Sequence, residues 1–221
     1  MPVNTSSSSV PVVFHCNVNG IGPRVEELRR ASAGASVISL QDTRLRDERD
    51  AADFFRREWP GYSAYTIVHN DAGLGCSLLV KATVPHRLTA RRSGSRHRLL
   101  IAEVRLPDGL LCTVASLHVP PLNARNGVLL RSDLVEMGLS GRKALLVGDL
   151  NARSADLGCR STNLNGDVLF DIIDHLEVVV LNDPRAATIQ HVSHSYEDCL
   201  DWALSTPALA PVLACMTGSD V

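Results

Sequence analysis

Along this chain, short apolar runs end repeatedly in a carboxylate or a carboxamide. The sharpest case is Ala144-Leu145-Leu146-Val147-Gly148-Asp149-Leu150-Asn151-Ala152, where the hydrophobic run gives way abruptly to Gly, Asp and Asn. Such a run reads as a buried strand ending at a polar rim. Alternation along a strand would point Asp149 and Asn151 the same way and turn Leu150 into the core. Taken alone, the same residues also describe a strand end followed by an Asx turn. The pattern recurs at Val10 to Cys16, which runs into Asn17-Val18-Asn19-Gly20, and at Val37 to Leu40, which runs into Gln41-Asp42-Thr43.

Helical spacing fills the intervals. Pro23 is suited to a first helical turn, and Val25, Leu28 and Ala31 carry a short helix to Gly34. Asp47 to Trp59 places Ala51, Phe54, Phe55 and Trp59 on one side, Asn123 to Leu139 reads as a helix, and Asp167 to Leu176 carries Val168, Leu169, Ile172, Ile173 and Leu176. Tyr62 to Val68, Cys76 to Lys81, Leu99 to Leu106, Leu110 to Val119, Val178 to Leu181, Thr188 to Val192, Asp198 to Leu204 and Val212 to Met216 read as strands. Pro107-Asp108-Gly109 supplies a hairpin turn. Between Arg87 and Arg98 a polar segment carrying Arg91, Arg92, Arg96, His97 and Arg98 reads as a basic loop. Strands mixed with helices predict an α/β fold: two packed mixed β-sheets with helices outside, a four-layered sandwich.

With 221 residues and 45% hydrophobic content, the chain has material for one large core. The expected organisation is a disordered tail over 1–9 and a single domain over 10–221. Six cysteines occur without a Cys-x-x-Cys, several inside apolar runs, which favours buried thiols over disulfides or zinc. A Ser-rich start with no apolar h-region, and no apolar run long enough for a membrane, predict a soluble intracellular protein. A net charge of −2 decides nothing about nucleic acid, because a local basic patch is what grips phosphate. No Gly-x-x-x-x-Gly-Lys marks a triphosphate site. The strand-end groups are carboxylates and amides, hard oxygen donors that suit Mg²⁺ shared with a substrate phosphate.

In order, Asn17-Val18-Asn19-Gly20, Leu40-Gln41-Asp42-Thr43, Leu117-His118-Val119-Pro120, Gly148-Asp149-Leu150-Asn151-Ala152, Leu200-Asp201-Trp202 and Ser219-Asp220 resemble the motifs of the endonuclease/exonuclease/phosphatase superfamily. Gln-x-Thr-x-Leu after the second strand, the two prolines after His118 and the Leu181-Asn182 ending resemble the apurinic-endonuclease-like domain of non-LTR retrotransposons. The resemblance implies a DNase I-like fold and a Mg²⁺-dependent DNA endonuclease, with Mn²⁺ as a substitute ion. Its product would be the nick that primes retrotransposition. It further implies a reverse transcriptase fused to or encoded with this domain and, from the DNA substrate, a nuclear location. Carried over residue by residue, Asp42, Asn17 and Asp220 would hold the metal. Asp149 would orient the attacking water, Asn151 would hold the phosphate and His118 would act on the leaving group. With an ordinary pKa of about 6.5, a histidine can donate that proton near neutrality. Asp201 would buttress the family's last histidine, while Asn19, Arg91, Arg92, Arg96 and Arg98 would contact DNA.

Two positions depart from the family pattern. Asp42 stands where the family carries a Glu, one methylene longer. Val221 stands where the family carries the last histidine, and the closing strand that would follow it is absent from the sequence. Two rivals stand beside the nuclease reading: a phosphatase or phospholipase of the same superfamily, and a DNA-binding remnant with impaired catalysis.

Overall fold

The protein is described by a computed structural model that covers residues 12–68, 75–94, 97–106, 109–121, 128–129, 132, 143–183, 188–191 and 196–215. One sheet holds β1 (Val13–Asn17), β2 (Val37–Gln41), β3 (Tyr62–Ile67) and β4 (Cys76–Lys81) in the order β1-β2-β4-β3. A second holds β5 (His86–Ser93), β6 (Arg98–Arg105), β7 (Leu111–His118), β8 (Ala144–Asp149), β9 (Val179–Val180) and β12 (Asp201–Ser205) in the order β5-β6-β7-β8-β12-β9. A small hairpin of β10 (Ile189–His191) and β11 (Tyr196–Asp198) precedes β12. Both sheets are mixed: β1 with β2 and β7 with β8 are parallel, and the other pairs are antiparallel.

Period-two alternation sorts each strand between two cores. Val37, Leu78 and Val80 of the first sheet meet Leu100, Ala102, Val104, Val114, Leu145 and Val147 of the second, filling the space between the sheets. Ile38, Leu40 and Leu79 face the other way. They pack with Leu28 of α1 (Val25–Ala31), Phe55 of α2 (Glu48–Glu58) and Trp59. On the far side, Leu99, Leu117, Leu146 and Trp202 pack with Leu169 and Ile172 of α3 (Leu164–Leu176). The result is the expected four-layered α/β sandwich, helices outside two sheets. Side chains start two of the helices: Asp47 accepts from the Asp50 N–H at 2.8 Å, and Asn163 accepts from the Gly166 N–H at 2.9 Å.

Three expectations need correction. The basic segment from Arg87 onward is not a loop: His86–Ser93 is the edge strand β5, with a register shift between Leu88 and Ala90. Its alternation was hidden by that shift and by arginines on the exposed side. Val212 to Met216 forms no strand in its described part; a 3-10 turn, Ala210–Val212, stands there instead. The last helix begins at Leu164, three residues before Asp167, because Asn163 is the residue that caps it. The helix expected over Asn123 to Leu139 lies almost wholly outside the described residues, as does the tail over 1–9. All six cysteines are free thiols, five of them buried or half-buried and Cys215 exposed. Among the described residues, no helix is long and apolar enough to cross a membrane.

Gly148 is required where β8 reaches the site. A Cβ there would lie 1.8 Å from the Leu117 carbonyl oxygen of β7, a backbone atom that cannot move aside without breaking the parallel pairing. Gly148→Ala should therefore destabilise the domain by about 1–3 kcal/mol or more, as overpacking does. Denaturant unfolding of the two proteins checks this.

Candidate active site

At one end of the sandwich, the last inward-facing rung of each sheet carries polar side chains. On the first sheet Asn17 of β1 and Gln41 of β2 are register partners, and the row continues through Cys76 of β4 to the apolar Ile67 of β3. On the second it is Arg98, His118, Asp149 and Asp201, partners in turn across β6, β7, β8 and β12. Shared register puts these four side chains on one face, toward the opposite sheet. One rung deeper, Ser39 and Ser116 meet across the gap at 2.7 Å, and Gln41 Nε2 donates to both, at 2.8 and 2.9 Å. That buried layer separates the polar end from the apolar core.

Two further bonds cross the gap from β1. Asn17 Nδ2 donates to Asp149 Oδ2 at 2.7 Å, and His15 Nε2 lies 3.0 Å from Asp201 Oδ1. Asp149 also accepts the Asn151 N–H through Oδ1 at 2.9 Å. Burial pushes the Asp149 carboxyl up to about 8, aided by the charges of Asp201 and Asp42 and opposed by the Asn151 N–H and the Asn17 amide. His118 is 1% exposed, and burial together with the neighbouring Arg98 guanidinium pushes it down to about 4, against the pull of Asp201. The expected proton donor near neutrality is thus a neutral imidazole. It can give a hydrogen bond through its one N–H, but it carries no surplus proton at pH 7.

The turns above these strands are conformationally unusual. Of the five non-glycine residues with positive φ among the described residues, four gather here: Asn19 (φ 44), Asp42 (φ 51), Arg44 (φ 56) and Asn151 (φ 46). Asn and Asp tolerate that region; Arg does so at a cost, a kind of strain that concentrates at functional sites. Asp42 follows β2, and its backbone carbonyl receives the Gly20 N–H at 2.8 Å, which joins the β1 and β2 turns. Its Oδ2 lies 3.4 Å from Arg44 Nη2, which also donates to Asn19 Oδ1. Asp42 Oδ1 is buried with no hydrogen-bond partner, and burial holds this carboxyl above the usual carboxylate range despite Arg44. Asn17 Oδ1 accepts the Asn19 N–H at 3.1 Å, so the side chain expected at the metal ties Asp149 to the first turn.

Most of the residues singled out from the sequence therefore converge on one end of the sandwich: Asn17, Asn19, Asp42, His118, Asp149, Asn151 and Asp201. Asn151 converges by a different route from the one expected. β8 ends at Asp149 and Asn151 turns left-handed, so the two do not alternate on one strand; they form an Asx turn instead. The Asn151 side-chain amide gives one of its two N–H donors to the Val119 carbonyl at 2.8 Å. Arg98 is the clear correction among the basic residues. It begins β6 on the inward face at 1% exposure, beside His118, and is not on the surface. Arg91 and Arg92 lie on exposed β5, two and one residues before Ser93, the register partner of Arg98; Arg91 is paired with Glu48. Arg96 and Asp220, with Val221, lie outside the described residues.

Sequence reading missed two members. His15 sits two residues before Asn17 on the same face of β1, a signal that period two alone carries. Arg44 follows the second strand-end motif by one residue and is a fixed position in none of the motifs. Among the described residues no three His, Cys, Asp or Glu side chains form a metal cluster. The orphaned oxygen of Asp42, with Asp149 close enough to feel its charge, fits an ion bound through one or two carboxylates and completed by water and phosphate.

An α/β sandwich whose strand ends deliver carboxylates, amides and a histidine to one rim is the arrangement of the endonuclease/exonuclease/phosphatase superfamily. The match of residues 112–220 to the family model described as Endonuclease-reverse transcriptase covers a little under half of the chain. Solved structures share the fold. The endonuclease domain of TRAS1, a telomere-specific non-LTR retrotransposon, aligns with a TM-score of 0.62 at 14% identity, over 89% of this chain and 85% of that one. The AP endonuclease LMAP from Leishmania major gives 0.62 at 13%, over 90% and 80%. The 3′ phosphatase NExo from Neisseria, bound to a product DNA hairpin, gives 0.58 at 14%, over 90% and 88%. No curated protein sequence matches significantly.

The two shifted groups set opposite pH dependences of stability. His118, depressed to about 4 from 6.5, lets the unfolded chain take up its proton first, so stability is lost as pH falls from about 6.5 to 4. Asp149, raised to about 8 from 3.8, does the reverse: stability is lost as pH rises toward 8. The two oppose each other below pH 6.5, which leaves the decline between 6.5 and 8 to Asp149. His118→Asn should remove about 3 kcal/mol of the acid loss, at 1.36 kcal/mol per unit. Asp149→Asn should flatten the decline from 6.5 to 8. Unfolding free energies measured from pH 4 to 9 decide both.

Proposed function

We propose that this domain is a metal-dependent DNA endonuclease that nicks one strand and leaves a 3′-hydroxyl for a reverse transcriptase to extend. The observation that carries this reading is the polar rung itself. Asp42, Asp149, Asp201 and His118 come from four separate strand ends and meet at one rim. There burial opposes the charged forms of Asp42, Asp149 and His118. The match of residues 112–220 to the Endonuclease-reverse transcriptase model adds the retroelement association.

A divalent ion, Mg²⁺ or Mn²⁺, would be held by Asp42 through its unpartnered oxygen and would neutralise charge developing on the phosphate; the family resemblance adds Asp220 as a second ligand. Asn17 supports that position by fixing Asp149. Asp149, when ionised, is the base: a carboxylate of raised proton affinity accepts a proton from water more readily than an ordinary one. The water oxygen bonds to phosphorus as the bond to the 3′ oxygen breaks, and the departing oxygen takes up a proton. His118 donates a hydrogen bond to that oxygen or to a phosphoryl oxygen. Arg98, buried beside it, supplies fixed positive charge to the same row. Arg91 and Arg92 on the β5 edge, with Arg44 above the turns, grip flanking phosphates without reading sequence.

One sequence observation favours a second reading. Val221 cannot take part in proton transfer as the family's last histidine does, and a DNA-binding remnant would follow from that loss. The test that separates the readings is nicking of supercoiled plasmid by chain 1–221, with Mg²⁺, with Mn²⁺ and with chelator. Nicking should require metal and fall about 10²–10⁴-fold in Asp149→Ala. Metal-independent binding with no cleavage would establish the remnant, and release of phosphate from DNA ends or a small phosphodiester without nicking would establish a phosphatase.

Binding offers a separate check. Replacing Arg91 and Arg92 with Ala should weaken DNA binding and lower the slope of log K against log salt by about 2, close to 0.9 for each phosphate that is no longer neutralised. An unchanged slope would remove the β5 edge from the interface.

A further inference from the structure

β1 presents two inward side chains to the opposite sheet, and each takes one carboxylate. Asn17 takes Asp149 at 2.7 Å; His15, two residues earlier, takes Asp201 at 3.0 Å. The two carboxylates are direct register partners on β8 and β12, where like charges destabilise each other. Their separation comes from β1, whose two donors draw the carboxylates toward two points along one strand.

The His15 ring is well placed for this and for little else. Phe14 and Cys16 pack on the opposite face of β1 with the first sheet's outer core, so the imidazole is committed to the gap between the sheets. Its side chain is 15% exposed and that of Asp201 16%. His15 Nδ1 is buried without a hydrogen-bond partner, so Asp201 is the one polar group the ring engages among the described residues. On the other side, Asp201 is fixed at the backbone: its N–H and that of Leu200 both donate to Thr188 Oγ1, at 3.1 and 2.9 Å. Its main chain is therefore set by Thr188 and its carboxylate by His15.

We infer that His15 is a positioning residue for the reaction, holding the Asp201 carboxylate in place beside Asp149 across the gap between the sheets. The inference rests on the nuclease reading above. It assigns a role to a first-strand histidine that the sequence motifs do not include. Without the imidazole, Asp201 keeps its backbone position, but its carboxylate is free to turn toward Asp149 and the substrate phosphate. Misplacement of this size lowers the rate of a positioned reaction by about 10- to 100-fold while leaving binding nearly untouched.

The experiment is steady-state nicking by the full chain 1–221 in Mg²⁺, comparing wild type, Asp149→Ala, His15→Ala, His15→Gln, Asp201→Ala and the double variant His15→Ala/Asp201→Ala. Thermal melts of each verify folding. His15→Ala should lower kcat by about 10- to 100-fold with KM within about twofold. His15→Gln, which keeps an N–H donor near Nε2, should recover most of that loss. The double variant should be no slower than Asp201→Ala, because both changes remove one linkage. Independently of activity, the ring N–H of His15 should give an imidazole proton signal by NMR that disappears in Asp201→Ala. The inference is overturned if His15→Ala nicks as fast as wild type, if His15→Gln is as slow as His15→Ala, or if the two losses multiply. If wild type and Asp149→Ala do not differ, the nuclease reading itself has failed, and the positioning role falls with it. Those two failures are read from different pairs of proteins.

Discussion

Two sheets packed through an apolar core can end in a polar site only if the last inward-facing groups bond one another across the gap. Here that condition is met rung by rung. Ser39 and Ser116, bridged by Gln41, close the core; above them Asn17 reaches Asp149 and His15 reaches Asp201. Apart from the Gln41–Ser39 bond within β2, each of these contacts joins a residue of the first sheet to one of the second. The spacing of the sheets and the geometry of the site are thus the same quantity. A change that shifts one sheet against the other, such as a side chain at Gly148, acts on the site through this layer.

The same layer explains where the charge sits. Asp149 is buried near two other carboxylates, and its carboxyl resists ionisation; His118 is buried beside a guanidinium, and its imidazole resists protonation. Both groups are held away from their preferred states. A cation at Asp42 would relieve the first strain, and a substrate phosphate would satisfy the arginines around the second. A site built this way is destabilising by construction, which is the usual relation between a preorganised active site and the stability of its fold.

Much of the fold was legible because the strands are short apolar runs ended by Gly, Pro, Asp or Asn, and the motif residues stand at those ends. Asp42, His118, Asp149 and Asp201 could be found that way. What could not be read was direction. Arg98 looked like part of a surface loop because five basic residues crowd one segment, yet register with His118 puts it inside. Asn151 looked like a strand partner of Asp149, yet the left-handed turn after Asp149 replaces alternation with an Asx turn. His15 carried the right spacing from Asn17 but no motif. Its importance depends on which residue of a strand nearly two hundred positions later lies opposite, and that is a property of how the sheets stack.

The edge position of β5 has a consequence beyond DNA. A strand at the end of a sheet offers unpaired backbone groups to any extended segment of another molecule, and charged side chains and bulges are the ordinary defence. β5 has both, with arginines along its exposed side and an irregularity between Leu88 and Ala90. The β5 arginines therefore guard the sheet edge against self-association whether or not they meet phosphate. A basic β5 edge by itself does not distinguish a working enzyme from an inactive one.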